Sequence, residues 1–520
     1  MDRMPSTGPP RAGRREWLAL AVLALPTLLV SMDLTVLHLA LPSLSRDLDP
    51  SSTQLLWIVD VYGFLIAGAL ITMGTLGDRV GRRRLLLIGA AAFGAASVLA
   101  AFATSAELLI AARALLGVAG ATLMPSTLSL IRNLFHDPAQ RTTAIAVWMT
   151  SFMAGAAIGP IVGGLLLEQF WWGSVFLLGV PVMALLLVLG PLLLPESRDP
   201  AAGRLDLLSA ALSLVAVLSA VWGVKRIAEH GADGAAIASL AAGLALGTVF
   251  VLRQRGLADP LIDLRLFRAR TFSGGLGTQT LTIFAFGGTQ LFVGQYLQLV
   301  HGLSPLEAGL WLLPGMLAGI AGAMLAPVAV RHVRPARVIG TGLLLAAGGL
   351  LAIAFVSTGS GLALIVAGQM VASFGVGPAM TLTTDMIVGS APPERAGSAS
   401  AISETGGELG QALGIALVGS VGTAVYRGGI DERMPAGVPA AETKAARDTL
   451  GGAAEASDEL PAPLGGELLD AAREAFTQGL QATATVSAVV LSGVAAMALV
   501  LLRRAPSAGA PEPEPVGAEA

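Results

Sequence analysis

Asp33 stands inside an uninterrupted apolar run from Met32 to Pro42, where a carboxylate at bilayer depth costs roughly 2.5 to 3.5 kcal/mol on insertion scales. A residue kept at that cost suits a chemical task, and the task open to it is binding a proton or another cation. Glu404 and Glu408 lie one helical turn apart and therefore on one face. Two such carboxylates repel when both ionise, which suits them to holding an exchangeable proton. Asp60 is a further acid, two residues before Tyr62. Arg113, about two turns into an apolar segment, needs a carboxylate or backbone carbonyls around its guanidinium. A charge-balancing pair or relay between Arg113 and Asp33 is expected, and neutralising both should then cost less than removing one.

Two glycine-bearing motifs accompany these charges. Gly74, Asp78, Arg79, Gly81, Arg82 and Arg83 form one loop cluster. Its glycine permits close helix approach, its acid can accept from a helix end or an arginine, and its arginines can bind helix C-termini and headgroups. This reads as a latch on one gate, over and above its value as a topogenic positive patch. Gly155, Gly159, Pro160, Gly163 and Gly164 combine a small-residue face with a proline kink, a pattern that permits tight helix contact. Tyr62, Trp148, Met149, Phe152, Phe284 and Tyr296 are candidates to line a cavity, since aromatic faces attract cations by about 0.5 to 2 kcal/mol. For each of them, packing or lipid contact is the weightier reading. His38 reads equally as a pore residue or a packed neutral histidine, and Asp385 more readily as a snorkelling or capping residue than as a functional one.

These residues need a membrane scaffold. Of 520 residues, 54% are hydrophobic and 13% charged, and the mean hydropathy is +0.73, the balance of a polytopic membrane protein. Formal net charge is -3 without a long basic block, so nucleic acid is not an expected partner. With no cysteine, disulfides, thiolate metal sites and cysteine nucleophiles are excluded. No nucleophile–base or metal-ligand constellation and no phosphate-binding Gly-x-x-x-x-Gly-Lys-Ser/Thr run occurs. Catalytic residues, cofactors, metals and ATP drive are therefore not expected.

Fourteen spanning segments are predicted, near 17-41, 56-77, 85-104, 107-131, 143-167, 174-194, 206-224, 235-252, 271-299, 306-330, 337-356, 361-388, 398-426 and 482-502. The first is too long for a signal-peptide core. Loops on the side of the termini hold most of the Lys and Arg, whereas short loops on the other side hold only Arg46, Lys225 and Arg226. The positive-inside rule then predicts two cytoplasmic termini. The 427-481 segment falls outside the cell and reads as a solvated spacer in preference to a short amphipathic helix over 465-478. The tail after 502 reads as disordered.

A weak repeat relates the two halves. Pro125 to Ile131 returns as Pro378 to Thr384, and Pro138 to Arg141 returns as Pro392 to Arg395. Each copy leads into a glycine ladder, Gly155/Gly159/Gly163 and Gly406/Gly410/Gly414. The expected fold class is an all-α polytopic membrane protein of two parallel six-helix bundles, 17-194 and 271-502, with the substrate site between them near midplane. A two-helix insertion over 195-270, an N-terminal segment 1-16 and a tail 503-520 complete it.

Taken together, the motifs from Met32 to Pro42, Gly74 to Arg83, Leu109 through Arg113 to Gly117, Gly155 to Gly164, and Trp57, Asp60 and Tyr62 make the chain resemble the fourteen-helix drug:proton antiporters of the major facilitator superfamily, nearest the bacterial quaternary-ammonium efflux pumps. The resemblance implies export of lipophilic, often cationic compounds from the cytoplasm or inner leaflet in exchange for protons, by a multi-pass protein of the bacterial inner membrane acting as a monomer. It implies proton or substrate binding at Asp33, an acid near the outer end of the second helix at Asp60, a buried arginine at Arg113, a loop latch at Asp78 and Arg82, and the antiporter motif at Gly159 and Pro160. Two departures stand out: Ser403 replaces the first of a pair of adjacent acids, and the tenth helix carries no acid between Glu307 and Arg331. Alternative readings are export of a metabolite or antibiotic made by the cell itself, and a receptor or scaffold that does not transport.

Overall fold

The computed structural model describes residues 11–198, 206–230, 233–257, 260–359 and 361–503. Helix ends are set by local chemistry. Ser51 caps α2 (Ser52–Val80) with Gln54 reaching back, Asp137 caps α5 (Pro138–Gln169), and Ser304 with Glu307 closes a capping box on α11 (Pro305–Ala329). The remaining long helices are α1 (Arg14–Leu48), α3 (Arg82–Ala101), α4 (Ala106–Leu134), α8 (Leu207–His230), α9 (Gly234–Gly256), α10 (Arg270–Gln295), α12 (Pro335–Ile353), α13 (Leu362–Gly389), α14 (Ala396–Arg433) and α17 (Ala462–Leu501). The sixth predicted span is broken into α6 (Ser174–Leu177) and α7 (Gly179–Leu193).

Thirteen helices among the described residues are long and apolar enough to cross a membrane. α10 occupies the place of the remaining predicted span. It is continuous over 26 residues, but its glycines, threonines and glutamines lower its hydropathy. That polarity is used internally: Thr289 donates to Ser487 of α17 at 2.8 Å, and Gln279 accepts from Ser403 of α14 at 3.0 Å.

One apolar core runs through α1 to α7, from Ala19 to Leu194, and a second gathers residues from Ala285 to Leu502. In the first, α5 lies on α1, and a Cβ on Gly155 or Gly159 would collide with Leu28 or Thr35. In the second, α14 lies on α10, and a Cβ on Gly410 or Gly414 would collide with the Thr280 or Phe284 carbonyl. The sequence repeat is thus a repeated helix crossing, held by glycines in both copies. Gly163 contributes to the first crossing against Val36, while Gly164 faces open space.

The α8–α9 hairpin closes the seam between the two cores. Leu214 and Leu218 fill the space beside Gly68 on α2, while Val224 packs with Ala412 and Ala416 on α14. Lys225 belongs to this hairpin. The loop position predicted for it is corrected, because the apolar span continues through Ile227.

The 427-481 segment is not a spacer. α14 continues to Arg433, α15 (Ala440–Asp448) and α16 (Leu450–Glu459) follow, and α17 is one helix from Ala462 to Leu501. Gly465, Leu468, Ala472 and Phe476 are buried, and the Tyr426 hydroxyl donates to the Ala446 carbonyl at 2.5 Å. The acidic composition sits on the outer surface of a packed helical cap. The tail after 503, the side chain of His38 and the ring of Pro160 lie outside what is described.

Candidate transport site

The first and last described residues lie on one face of the bundle, here the terminal face: Ala12 donates to Gln140, and Leu501 and Leu502 pack at Gly274 near the start of α10. The opposite face carries α15 and α16. Asp33 on α1 and Arg113 on α4 meet between these faces. Arg113 Nη1 is 2.6 Å from Asp33 Oδ2, and Arg113 Nε donates to the Ile58 carbonyl of α2 at 3.1 Å. The guanidinium carbon lies 4.5 Å from the Tyr62 ring centroid, with the Phe176 ring on another side at 5.9 Å. The arginine side chain is 2% exposed, the aspartate 12%. The buried cation therefore has an ion-pair partner, a backbone acceptor and two aromatic faces, the combination that makes burial of a charge tolerable. The Tyr62 hydroxyl is buried without a hydrogen-bond partner among the described residues, and its ring is a wall of the ion pair.

Glu404 and Glu408 enter from α14. Neither has a hydrogen-bond or ion-pair partner among the described residues, and Glu408 is exposed although it lies roughly 18 Å along its helix. α14 packs against α2, α4, α8, α10 and α17, so an exposed side chain at that height faces a space between helices. Tyr62 lies within electrostatic range of Asp33, Arg113 and Glu408, and Glu408 within that of Glu404 and Lys225. The acids predicted from separate segments thus share one charged neighbourhood.

Asp60 is not a free acid. Lys225 Nζ lies 2.6 Å from its Oδ1 and 4.7 Å from the Phe64 ring centroid. Trp148 and Tyr296, offered as cavity lining, are instead fully buried packing residues. Trp148 Nε1 donates to Thr127 at 3.0 Å, and the Tyr296 hydroxyl donates to the Ser357 carbonyl at 2.8 Å. Met149 and Phe152 pack at the margin of the first core, and Phe284 at that of the second.

At the terminal face, the two cores are tied together. Asp78 accepts from the Gly397 and Ser398 amides, at 3.2 and 3.0 Å, at the start of α14, where a carboxylate complements the helix dipole. Arg82 holds Asp78 at 2.6 Å and donates to the Glu394 carbonyl at 2.9 Å. Gly74 lets α2 reach this point, since a Cβ there would lie 2.5 Å from Ala401 Cβ. Gly81 turns the chain with φ +114°, a value L side chains rarely adopt. Arg83 ties the turn to the chain after α7, donating to the Leu194 carbonyl at 3.0 Å with Glu196 alongside. Arg79 is half-buried beside the latch.

A second tie was not read from sequence. Asp385 of α13 accepts from Arg141 Nε at 2.7 Å and from Thr142 Oγ1 at 2.6 Å, both in the first turns of α5. The capping or snorkelling role expected for Asp385 is therefore corrected to a cross-core ion pair. The missed signal was the repeat itself, in which α5 and α14 are counterparts. Arg395, the repeat counterpart of Arg141, pairs with Asp263 at 2.7 Å.

The major facilitator superfamily model matches residues 23–415. The chain is 48% identical to the multidrug efflux pump LfrA of Mycolicibacterium smegmatis over 97% of this chain and 99% of that one. It is 36% identical to the methyl viologen resistance protein SmvA of Salmonella typhimurium over 94% and 97%. It is 33% identical to the tetracenomycin C resistance and export protein of Streptomyces glaucescens over 97% and 95%. Among solved structures, the human organic anion transporter MFSD10 superimposes with a TM-score of 0.58 at 16% identity, covering 93% of this chain and 100% of that one. A bacterial homologue of the lysosomal transporter Spinster gives 0.56 at 18%, covering 95% and 98%. The fold, the matched region and these relatives place the chain in the major facilitator superfamily, as a multi-pass membrane transporter and not an enzyme.

Proposed function

We propose that the protein is a proton-coupled antiporter that exports lipophilic cations, with its terminal face in the cytoplasm of a bacterial inner membrane and one chain as the working unit. The observation that carries this reading is the shared neighbourhood of Asp33, Arg113, Tyr62 and Glu408, a partly compensated charge cluster inside an apolar bundle. The relatives named for multidrug efflux and for resistance to methyl viologen, a dication, support a cationic cargo without fixing its charge.

Residues 17-194 and 271-502 act as two halves rocking about this cluster. A cation arriving from the cytoplasm or inner leaflet neutralises Glu404/Glu408 or competes with Arg113 for Asp33. The compensated protein opens outward, and protons displace the cargo. The Asp78 and Asp385 ties close the cytoplasmic gate while the outer side is accessible. One charge crossing about 100 mV supplies ~2.3 kcal/mol, and each pH unit adds ~1.4 kcal/mol. An electroneutral one-for-one exchange uses only the pH part, enough for roughly tenfold accumulation per pH unit.

The test is proton release from acidified everted vesicles on addition of tetraphenylphosphonium, comparing the intact chain with Asp33→Asn at equal expression. Release by the intact chain that Asp33→Asn abolishes supports the reading. Absence of release from the intact chain, with release on adding an uncharged aromatic polyketide instead, moves the substrate class to that of the tetracenomycin C exporter.

A further inference from the structure

Lys225 and its partner Asp60 are left without a task by the exchange chemistry above. The lysine enters from α8, the inserted hairpin, and not from either six-helix core. Its ammonium lies 2.6 Å from Asp60 Oδ1 and over the Phe64 ring at 4.7 Å. A carboxylate and an aromatic face at these distances are what a lipophilic cation would itself seek. The lysine side chain is 37% exposed and the aspartate 23%, so the pair is partly accessible. The ammonium also acts electrostatically on Glu408. The adjacent Arg226 is directed elsewhere, to Asp233 at 2.7 Å and the Trp222 ring at 5.2 Å.

Asp33 is balanced by Arg113, and Asp60 by Lys225. Glu404 and Glu408 remain without an ion-pair partner among the described residues, and their position on one turn disfavours two negative charges at once. The space therefore presents about one unbalanced negative charge.

Building on the proton-coupled reading, we infer that Lys225 is a tethered resident cation which occupies Asp60 and so biases the site toward monovalent cations over dications, the charge class of the methyl viologen for which one relative is named. A dication bound there leaves one positive charge uncompensated in a low-dielectric surround, which disfavours it. Removing the ammonium releases Asp60 as a second seat. Removing Asp60 alone frees the ammonium to compete for Glu408.

Purified chain in lipid nanodiscs and everted vesicles test this with tetraphenylphosphonium as monocation and dequalinium as dication. Lys225→Met is expected to raise the dication-to-monocation ratio of binding constants at least about tenfold, with the transport ratio following. Asp60→Asn is expected to weaken tetraphenylphosphonium binding about tenfold. The double change Lys225→Met/Asp60→Asn should recover that loss, which distinguishes a displaced ammonium from the loss of an essential acid. Where Lys225→Met does not yield a monodisperse protein, the comparison of Asp60→Asn with the double change carries the test. An intact chain that exports tetraphenylphosphonium while neither the ratio nor the rescue appears overturns this inference and leaves the antiport reading standing. An intact chain that neither binds nor moves either probe overturns both.

Discussion

Arg141 Nε and Asp385 Oδ1, 2.7 Å apart, join α5 to α13 across the two cores at the same face where Asp78 meets the start of α14. The helix starts held by the two ties are related by the internal repeat, α5 and α14 being counterparts, whereas the carboxylates come from the non-equivalent helices α13 and α2 of the opposite cores. The ties differ in chemistry. Asp78 binds backbone amides and the arginine that opens α3, whereas Asp385 binds side chains only. A pair of charge-assisted bonds contributes about 1.5–3 kcal/mol per partner, enough to set which face of a rocking bundle is closed.

Asp385→Asn should therefore shift the resting population away from closure at the terminal face by about tenfold, and Asp78→Asn by more, because it also uncaps α14. The chain contains no cysteine, so spin labels on two introduced cysteines, one replacing the exposed Arg84 near the start of α3 and one the exposed Pro392 after α13, report that opening directly. A distance distribution unchanged in both variants would remove the latch from the transport cycle.

How much of this was legible beforehand follows from range. Asp33 and Arg113 betrayed themselves because each is a charge in an apolar run, and the need of a buried guanidinium for a carboxylate named the partner. The Gly155 and Gly410 crossings were visible as small-residue ladders. Lys225 was not, because it lies one residue past where the hydropathy of 206-224 was judged to end, and helix α8 absorbs it by pairing with Asp60. The helical cap over 434-461 was hidden by acidic composition, which reports the solvated face of α15 and α16 and not the alanines and leucines buried beneath.

The Asp33–Arg113 pair makes a stability prediction separate from transport. Asp33→Asn leaves a guanidinium that is 2% exposed without its counter-charge, a situation that costs roughly 3–5 kcal/mol in buried pairs. Asp33→Asn/Arg113→Gln should melt above Arg113→Gln and above Asp33→Asn alone, giving a favourable coupling of about 2 kcal/mol in the thermal unfolding of detergent-solubilised protein. Strictly additive losses would mean that the carbonyl of Ile58 and the rings of Tyr62 and Phe176 suffice to hold Arg113.

Glycine positions separate packing from motif. Gly155→Ala and Gly414→Ala each push a methyl group into a facing carbonyl, of Leu28 and Phe284, and should lower stability by about 1–3 kcal/mol. Gly164→Ala meets nothing within 4 Å and should melt at the parent temperature or slightly higher, since alanine has less conformational freedom than glycine to lose when the helix forms. Equal melting of all three variants would show that the crossings relax without cost.

His301, in the turn after α10, supplies the pH dependence. Burial, followed by the nearby Arg473, holds its imidazole below the usual histidine range, and its Nε2 is buried without a hydrogen-bond partner among the described residues. The neutral ring packs edge-on against Tyr296, with centroids 5.1 Å apart. A depressed folded-state pKa means that the unfolded chain binds the proton more readily. The contribution is thus fully present above the unfolded value of ~6.5 and is lost as pH falls toward the folded one. The melting temperature of the parent should fall more steeply below pH ~6.5 than that of His301→Phe, which keeps the ring contact and cannot titrate. Parallel melting profiles for the two would place the acid sensitivity of the protein elsewhere, since the far-face turn would then carry no proton-linked term.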